Sequence, residues 1–204
     1  MTIDPELGTA QFPDRLRLPL AVDAAALAAD LDRLEGLDWT MHFVPQNFSG
    51  EWSVLPLRAP VGAVHPIMRI TSTPGCDAWE DTEFLALCPA MAAFLDGLHC
   101  PLGAVRLMRL TPGSAINEHC DPDLSAEGGV ARLHVPIVTS PQVDFRVNQK
   151  PVDMAVGECW YVRLSDPHSV TNRGETDRVH LVIDATMNSW LSGVLSAAAN
   201  ASNL

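Results

Sequence analysis

The sequence predicts a mainly β protein, a sandwich or barrel core with helices before it and a helix after it. Between Ala104 and Asp184 the text runs strand after strand, VRLMRL, ARLHVPIV, VDFRVN, ECWYVRL and RVHLVID, each rich in β-branched and aliphatic residues. Turn residues such as Pro112-Gly113, Gly128-Gly129, Gly157, Pro167 and Asn172-Arg173-Gly174 separate them. Outside that block, apolar residues recur at three and four positions, the helical period. A run of short strands flanked by helical text argues for sheet layers decorated by helices.

Taken in order, the run DAAALAADLDRL from Asp23 to Leu34 combines good helix formers with helical spacing and predicts a first amphipathic helix. From Trp39 to Ile70 the apolar residues come in short pieces punctuated by Pro45, Gly50, Pro56, Pro60, Gly62 and Pro66, which predicts short or edge strands. Phe84, Leu87, Met91, Phe94, Leu95 and Leu98 mark a second helix over Thr82 to Leu98, and Pro89 within it predicts a break near Cys88. Two strands then echo each other, Arg132-Leu133-His134-Val135 and Arg178-Val179-His180-Leu181, with Arg and His on one face and aliphatic residues on the other. Trp190, Leu191, Val194 and Leu195 suggest a final helix in the tail from Asn188 to Leu204. At 204 residues the chain is expected to form one domain, 1–204: a helical and short-strand part to residue 100, a β core over 104–184, and the tail from 188.

With 13 basic against 25 acidic residues the formal charge is −12, a sign that repels phosphate backbones and anionic lipid. Nucleic acid and membrane are therefore not expected partners. Lys150 is the sole lysine among the 13 basic residues, so nearly every cation is an arginine, the side chain that grips carboxylates in a planar fork. Five cysteines with no C-x-x-C pair fit neither a disulfide framework nor a zinc knuckle, and MTIDPELGTAQ lacks the basic and apolar regions of a secretion signal. Both point to a cytoplasmic protein.

His119-Cys120-Asp121 is the feature with chemical content. In extended backbone, residues i and i+2 project to one side, so His119 and Asp121 can address one metal ion. Cys120, on the opposite face, is expected to point into packing. A chain with seven histidines and 25 acidic residues yields about one His-x-acid triplet by chance, so context has to decide. That context is His168 in Asp166-Pro167-His168-Ser169, placed by the pattern in a turn after the strand ending near Leu164. Two histidines and a carboxylate on one face of a metal, with the remaining positions open, form the facial triad of non-haem Fe(II) oxygenases. Arg178 stands ten residues beyond His168, with Asp184 or Glu175 as possible partners. His42, His65 and His99 read as structural.

The order H-x-D, a second histidine 47 positions after the aspartate and an arginine ten further on resembles the aspartyl/asparaginyl β-hydroxylase family of Fe(II)/2-oxoglutarate-dependent oxygenases. The resemblance covers roughly Trp52 to Asp184. It implies a double-stranded β-helix, the jelly-roll, cupin-like core, with Fe(II) as metal and 2-oxoglutarate and O2 as cosubstrates. It implies hydroxylation of an amino acid or of a peptidyl Asp/Asn residue, with decarboxylation of 2-oxoglutarate to succinate. His119, Asp121 and His168 then become metal ligands and catalytic residues, and Arg178 falls where the family's 2-oxoglutarate arginine falls. Arg132 and His134 match a short R-x-H strand that helps hold the cosubstrate, and Gly157-Glu158-Cys159-Trp160 matches the stretch leading into the distal histidine. Trp52 and Arg58 lie in a segment similar to the family's substrate-side strand, for a small amino acid or short peptide. The competing readings are a non-redox, cupin-like metal hydrolase or isomerase, for which Arg178 has no obvious use, and a non-catalytic module on the same barrel.

Overall fold

The computed structural model describes residues 12–71, 76 and 78–202. Its strands in chain order are β1 (Arg15–Leu18), β2 (Thr40–Met41), β3 (Phe48–Ser49), β4 (Trp52–Pro60), β5 (Trp79–Asp81), β6 (Leu102–Leu110), β7 (Ala115–His119), β8 (Val130–Val138), β9 (Val143–Val147), β10 (Lys150–Pro151), β11 (Cys159–Val162), β12 (His168–Asn172) and β13 (Arg178–Thr186). The helices are α1 (Ala24–Asp32), α2 (Pro66–Ile70), α3 (Pro89–Asp96) and α4 (Ser189–Ala201). All strand pairs are antiparallel, in two sheets: an eight-stranded one ordered β1-β11-β8-β13-β6-β4-β2 with β5 beside β4, and a five-stranded one ordered β10-β9-β12-β7-β3. This is the mainly β, double-stranded β-helix architecture with flanking helices.

Strand alternation explains why one sheet carries both core and site. Along β13, Val179, Leu181, Ile183 and Ala185 face the helices, where they pack with Leu27, Met91, Leu95 and Leu191 in one apolar cluster. The intervening residues Arg178, His180, Val182 and Asp184 therefore turn inward, toward the second sheet. β8 and β6 follow the same rule, with Leu133, Val135, Val105 and Leu107 in the helix-side cluster, and Arg132, His134 and Arg106 buried on the other face. The echo between the strands of Arg132 and Arg178 is thus an adjacency, because β8 and β13 pair side by side with His134 opposite Val182. A second apolar cluster, including Val54, Met108, Phe145, Val147 and Val170, fills the space between the sheets.

The expected first and last helices form, capped by Asp23 and Asn188, whose side chains accept backbone N–H groups from Ala26 and Leu191. Pro89 divides the second: a single 3-10 turn covers Leu85–Leu87 and α3 restarts with the proline in its first turn. The buried Asp30 carboxylate accepts the Met91 N–H at 2.8 Å, tying α1 to the positive end of α3. Between Trp39 and Ile70 the expected short edge strands form as β2 and β3, but the rest of the stretch needs correction. Trp52–Pro60 is one nine-residue strand, and Pro66–Ile70 is helix. Pro56 is tolerated because it lies between the stretch of β4 that pairs with β2 and the stretch that pairs with β5, so its missing N–H deprives no outer neighbour.

Leu181 is fully buried on the helix side of β13, well away from the polar inner face. Leu181→Ala is expected to lower unfolding free energy by about 2–5 kcal/mol, read from urea denaturation, while leaving metal affinity within about twofold. A loss below about 1 kcal/mol would show that the helix-side cluster is not the core it is taken for.

Candidate metal centre

The register of the smaller sheet builds the site. β12 pairs with β7 so that His168 lies directly opposite His119, and their ring centroids are 4.3 Å apart. His168 therefore opens a strand and does not sit in the turn its flanking Asp-Pro suggested. Asp121 follows two residues after His119, its backbone N–H donating to the Leu164 carbonyl at 2.8 Å, which fixes the loop. One donor atom from each of His119, Asp121 and His168 lies within 4.8 Å of the other two. That is a three-point cluster able to converge on one cation at bond lengths of about 2.0–2.2 Å.

Both rings are oriented for ligation. His119 Nδ1 is 2.8 Å from the Asn117 carbonyl and His168 Nδ1 is 3.0 Å from the Asp166 carbonyl, so each Nδ1 carries the proton it donates and each Nε2 is left bare. Burial pushes the His168 pKa down to about 4, so its ring is neutral near pH 7. Asp121 divides its oxygens: Oδ1 lies 3.7 Å from His119 Nε2, and Oδ2 accepts from Arg132 Nη1 at 3.3 Å. Arg132 in turn donates to Asp184 through Nε at 2.6 Å and Nη2 at 2.9 Å. Arg106 reaches the same carboxylate at 2.6 Å, so Asp184 lies between two buried guanidinium groups.

Arg178 is different. It is 2% exposed on the inner face, and it pairs with neither Asp184 nor Glu175. No carboxylate among the described residues forms an ion pair with it. Its contacts are a 2.8 Å hydrogen bond from Nη2 to His180 Nδ1 and the face of Phe145, 5.7 Å from the guanidinium carbon. Burial alone pulls its pKa down to about 9, whereas Asp184 counters that penalty at Arg106 and more than offsets it at Arg132. A cavity of about 40 Å3 lies between Arg178 and the three candidate ligands, with His134, Phe145 and Val170 in its wall. His134 is buried with neither ring nitrogen hydrogen-bonded.

A much larger cleft, about 1240 Å3, shares His119 and Asp121 with that cavity. Trp52 and Arg58 both line it. Arg58, however, is committed to Asp81 and to the carbonyls of Trp79 and Leu102. His42, expected to be structural, stacks flat on Trp52 at 3.5 Å and lines the cleft, so that expectation is corrected. Cys120 is exposed and does not pack inward, because β7 ends at His119 on the rim. His65 and His99 keep structural places, His65 capping α2 and His99 edge-on to Trp190. Arg106 and Asp184 were missed. The signal for them was present, since alternation in VRLMRL and RVHLVID already turns both toward the face that carries Arg178.

Several histidines are held neutral by burial: His134 and His180 lie well below the usual range, and His42 falls to about 4. In the unfolded chain these rings protonate near pH 6.5 while the folded ones do not, so their contribution is intact above that pH and lost as pH falls below it. The metal-free protein is expected to lose about 1.4 kcal/mol of stability per pH unit for each fully buried histidine between pH 6.5 and 5. Urea midpoints that stay level from pH 7.5 to 5 would contradict this.

Comparison with known proteins agrees with this geometry. A model of the aspartyl/asparaginyl beta-hydroxylase family matches residues 28–187. L-proline cis-4-hydroxylase of Rhizobium meliloti (strain 1021) is 26% identical over 166 residues, which are 79% of this chain and 57% of that protein. The chain thus spans little more than half the length of that curated relative. Among solved structures, the viral collagen prolyl hydroxylase of Paramecium Bursaria Chlorella virus-1 aligns with a TM-score of 0.51 at 11% identity, covering 89% of this chain and 100% of that one. The epimerase SnoN from nogalamycin biosynthesis aligns at 0.52 and 16% identity, covering 85% and 77%. At such identities these two show a shared fold.

Proposed function

The chain belongs to the aspartyl/asparaginyl β-hydroxylase family, and from that premise we propose that it is an Fe(II)/2-oxoglutarate-dependent dioxygenase that hydroxylates an amino acid, free or within a short peptide. His119, Asp121 and His168 hold the metal, and Arg178 takes the far carboxylate of 2-oxoglutarate. The observation that carries this reading is the Arg178 guanidinium, buried without a carboxylate partner among the described residues, across a small cavity from a His-Asp-His cluster. An uncompensated buried cation is costly, and a fold keeps one where an anionic ligand neutralises it. A simple metal hydrolase does not require such a group, which favours the oxygenase reading over the non-redox one.

The donor set fits Fe(II): two imidazoles and one carboxylate, with the remaining coordination positions open to other ligands. When bound, the iron supplies the oxygen chemistry that couples decarboxylation of 2-oxoglutarate to insertion of one oxygen atom into a substrate C–H bond. The protein supplies position and dryness. The Asn117 and Asp166 carbonyls fix the two imidazole tautomers, and Arg132 holds the free oxygen of Asp121 so that the other faces the ion. Arg132 and His134 both stand in the cavity wall, where they can meet the cosubstrate. Met108, Phe145 and Val170 exclude water from Arg178, which strengthens its pairing with a carboxylate.

The substrate side is the wide cleft, where the stacked His42 and Trp52 form one wall and Arg58 lies farther out. That the Rhizobium meliloti relative is an L-proline hydroxylase supports a small amino acid. Unpaired cysteines throughout the described residues fit a cytoplasmic setting, and among those residues no helix is long and apolar enough to cross a membrane. The test is a mass-spectrometric screen with Fe(II), 2-oxoglutarate and a panel of free amino acids and Asp/Asn-containing peptides. One member of the panel should gain a single oxygen in step with succinate release. Succinate formation that is the same with and without Fe(II) would overturn the proposal.

A further inference from the structure

Arg178 carries five N–H donors, and the structure accounts for one of them. Nη2 donates to His180 Nδ1 at 2.8 Å, with both side chains buried. A guanidinium has no acceptor atom, so Nδ1 of His180 must be the bare nitrogen and its proton must sit on Nε2. Burial, with Arg178 and His134 beside it, holds the imidazole well below its usual pKa, which keeps it an acceptor. The pairing follows from the strand itself: residues 178 and 180 share one face of β13, and the register sets His180 against Met108 of β6 and Pro136 of β8.

His180 is not part of the lining of the 40 Å3 cavity, whereas Arg178 is. Whatever His180 contributes there passes through the arginine. Arginine has a long side chain with much rotamer freedom to lose, and a guanidinium that grips a carboxylate must be held in plane with it. Phe145 supports one face of the group and His180 fixes one arm, which leaves the other donors for a ligand in the cavity.

We propose that His180 is a positioning residue for cosubstrate recognition: by accepting from Arg178 Nη2 it aims the remaining guanidinium donors at the distal carboxylate of 2-oxoglutarate. This rests on the cosubstrate reading given above. It sets His180 apart from His119, His168 and His134, since its effect falls on the carboxylate that lies away from the metal.

The experiment is equilibrium binding, without turnover, to Mn(II)-loaded protein. Two probes are compared: 2-oxoglutarate, and 2-oxobutyrate, which keeps the keto-acid head and lacks the distal carboxylate. In His180→Leu, 2-oxoglutarate should bind about ten- to a hundredfold more weakly, the range for loss of a hydrogen bond to a charged group, while Mn(II) and 2-oxobutyrate bind as in the wild type. His180→Asn, whose carbonyl lies near the Nδ1 position, should restore 2-oxoglutarate binding to within about threefold; His180→Gln, whose carbonyl lies near Nε2, should not. If His180→Leu fails to fold, the Asn and Gln pair carries the same test. Equal 2-oxoglutarate affinity in the Asn and Gln variants, or equal weakening of both probes in His180→Leu, would overturn the proposal. Wild-type protein that binds 2-oxobutyrate and 2-oxoglutarate equally would overturn the cosubstrate reading itself.

Discussion

His168→Ala is expected to abolish hydroxylation and to weaken divalent metal binding by at least about a hundredfold. His168 supplies one of three donors, and loss even of a group that merely orients a ligand costs about 10- to 100-fold. Burial keeps the ring neutral, and its Nδ1–H is tied to the Asp166 carbonyl, so Nε2 has nothing else to do in this fold. Competition against a chromophoric chelator measures the affinity, and succinate release measures turnover. His119→Ala should behave alike, because its ring faces His168 across the β7–β12 pair. A His168→Ala protein that binds metal as tightly as the wild type would show that the three residues are neighbours without a shared ion.

Arg178→Leu is expected to separate cosubstrate from metal. It should reduce 2-oxoglutarate affinity by at least about a hundredfold, since truncating one partner of a buried charge pair costs about 2–5 kcal/mol, and it should leave metal affinity within about threefold. The ligand-free variant should also be more stable than the wild type, by about 1–3 kcal/mol in urea denaturation. The native guanidinium is buried with no carboxylate among the described residues to neutralise it, and a shorter, apolar side chain removes that penalty. Lower stability together with unchanged 2-oxoglutarate binding would mark Arg178 as a structural cation.

The strand block from residue 102 to 186 was legible in the sequence because alternation survives in it: in RVHLVID and ARLHVPIV, every second residue is aliphatic and buried toward the helices. The same period puts Arg178, Arg132 and His134 on the face opposite those aliphatic residues. It would have delivered Arg106 and Asp184 as well, had charged residues in buried strands been read as partners of one another. Where the sequence misled, a local signal yielded to pairing. The Asp-Pro before His168 looks like a turn, yet the chain resumes as β12 because β7 and β9 offer it partners on both sides. Pro56 looks like a strand boundary, yet β4 runs through it because the pairing with β6 shifts register there and neither outer neighbour needs its N–H. His42 gave no pattern at all, since its place against Trp52 depends on the loop between β2 and β3 coming back over the cleft. Nor does any local pattern reveal that Arg178 lacks a counterion among the described residues, which is a property of the assembled interior.

The most direct test of the account is anaerobic titration of Fe(II)-loaded protein with 2-oxoglutarate, followed by the weak visible absorption of a keto acid that chelates ferrous iron. The wild type should develop the band saturably, and Arg178→Leu should need at least about a hundredfold more 2-oxoglutarate to reach it. A wild-type protein that binds Fe(II) yet develops no band at any concentration of 2-oxoglutarate would contradict the assignment of the buried guanidinium and the three ligands to one oxygenase site.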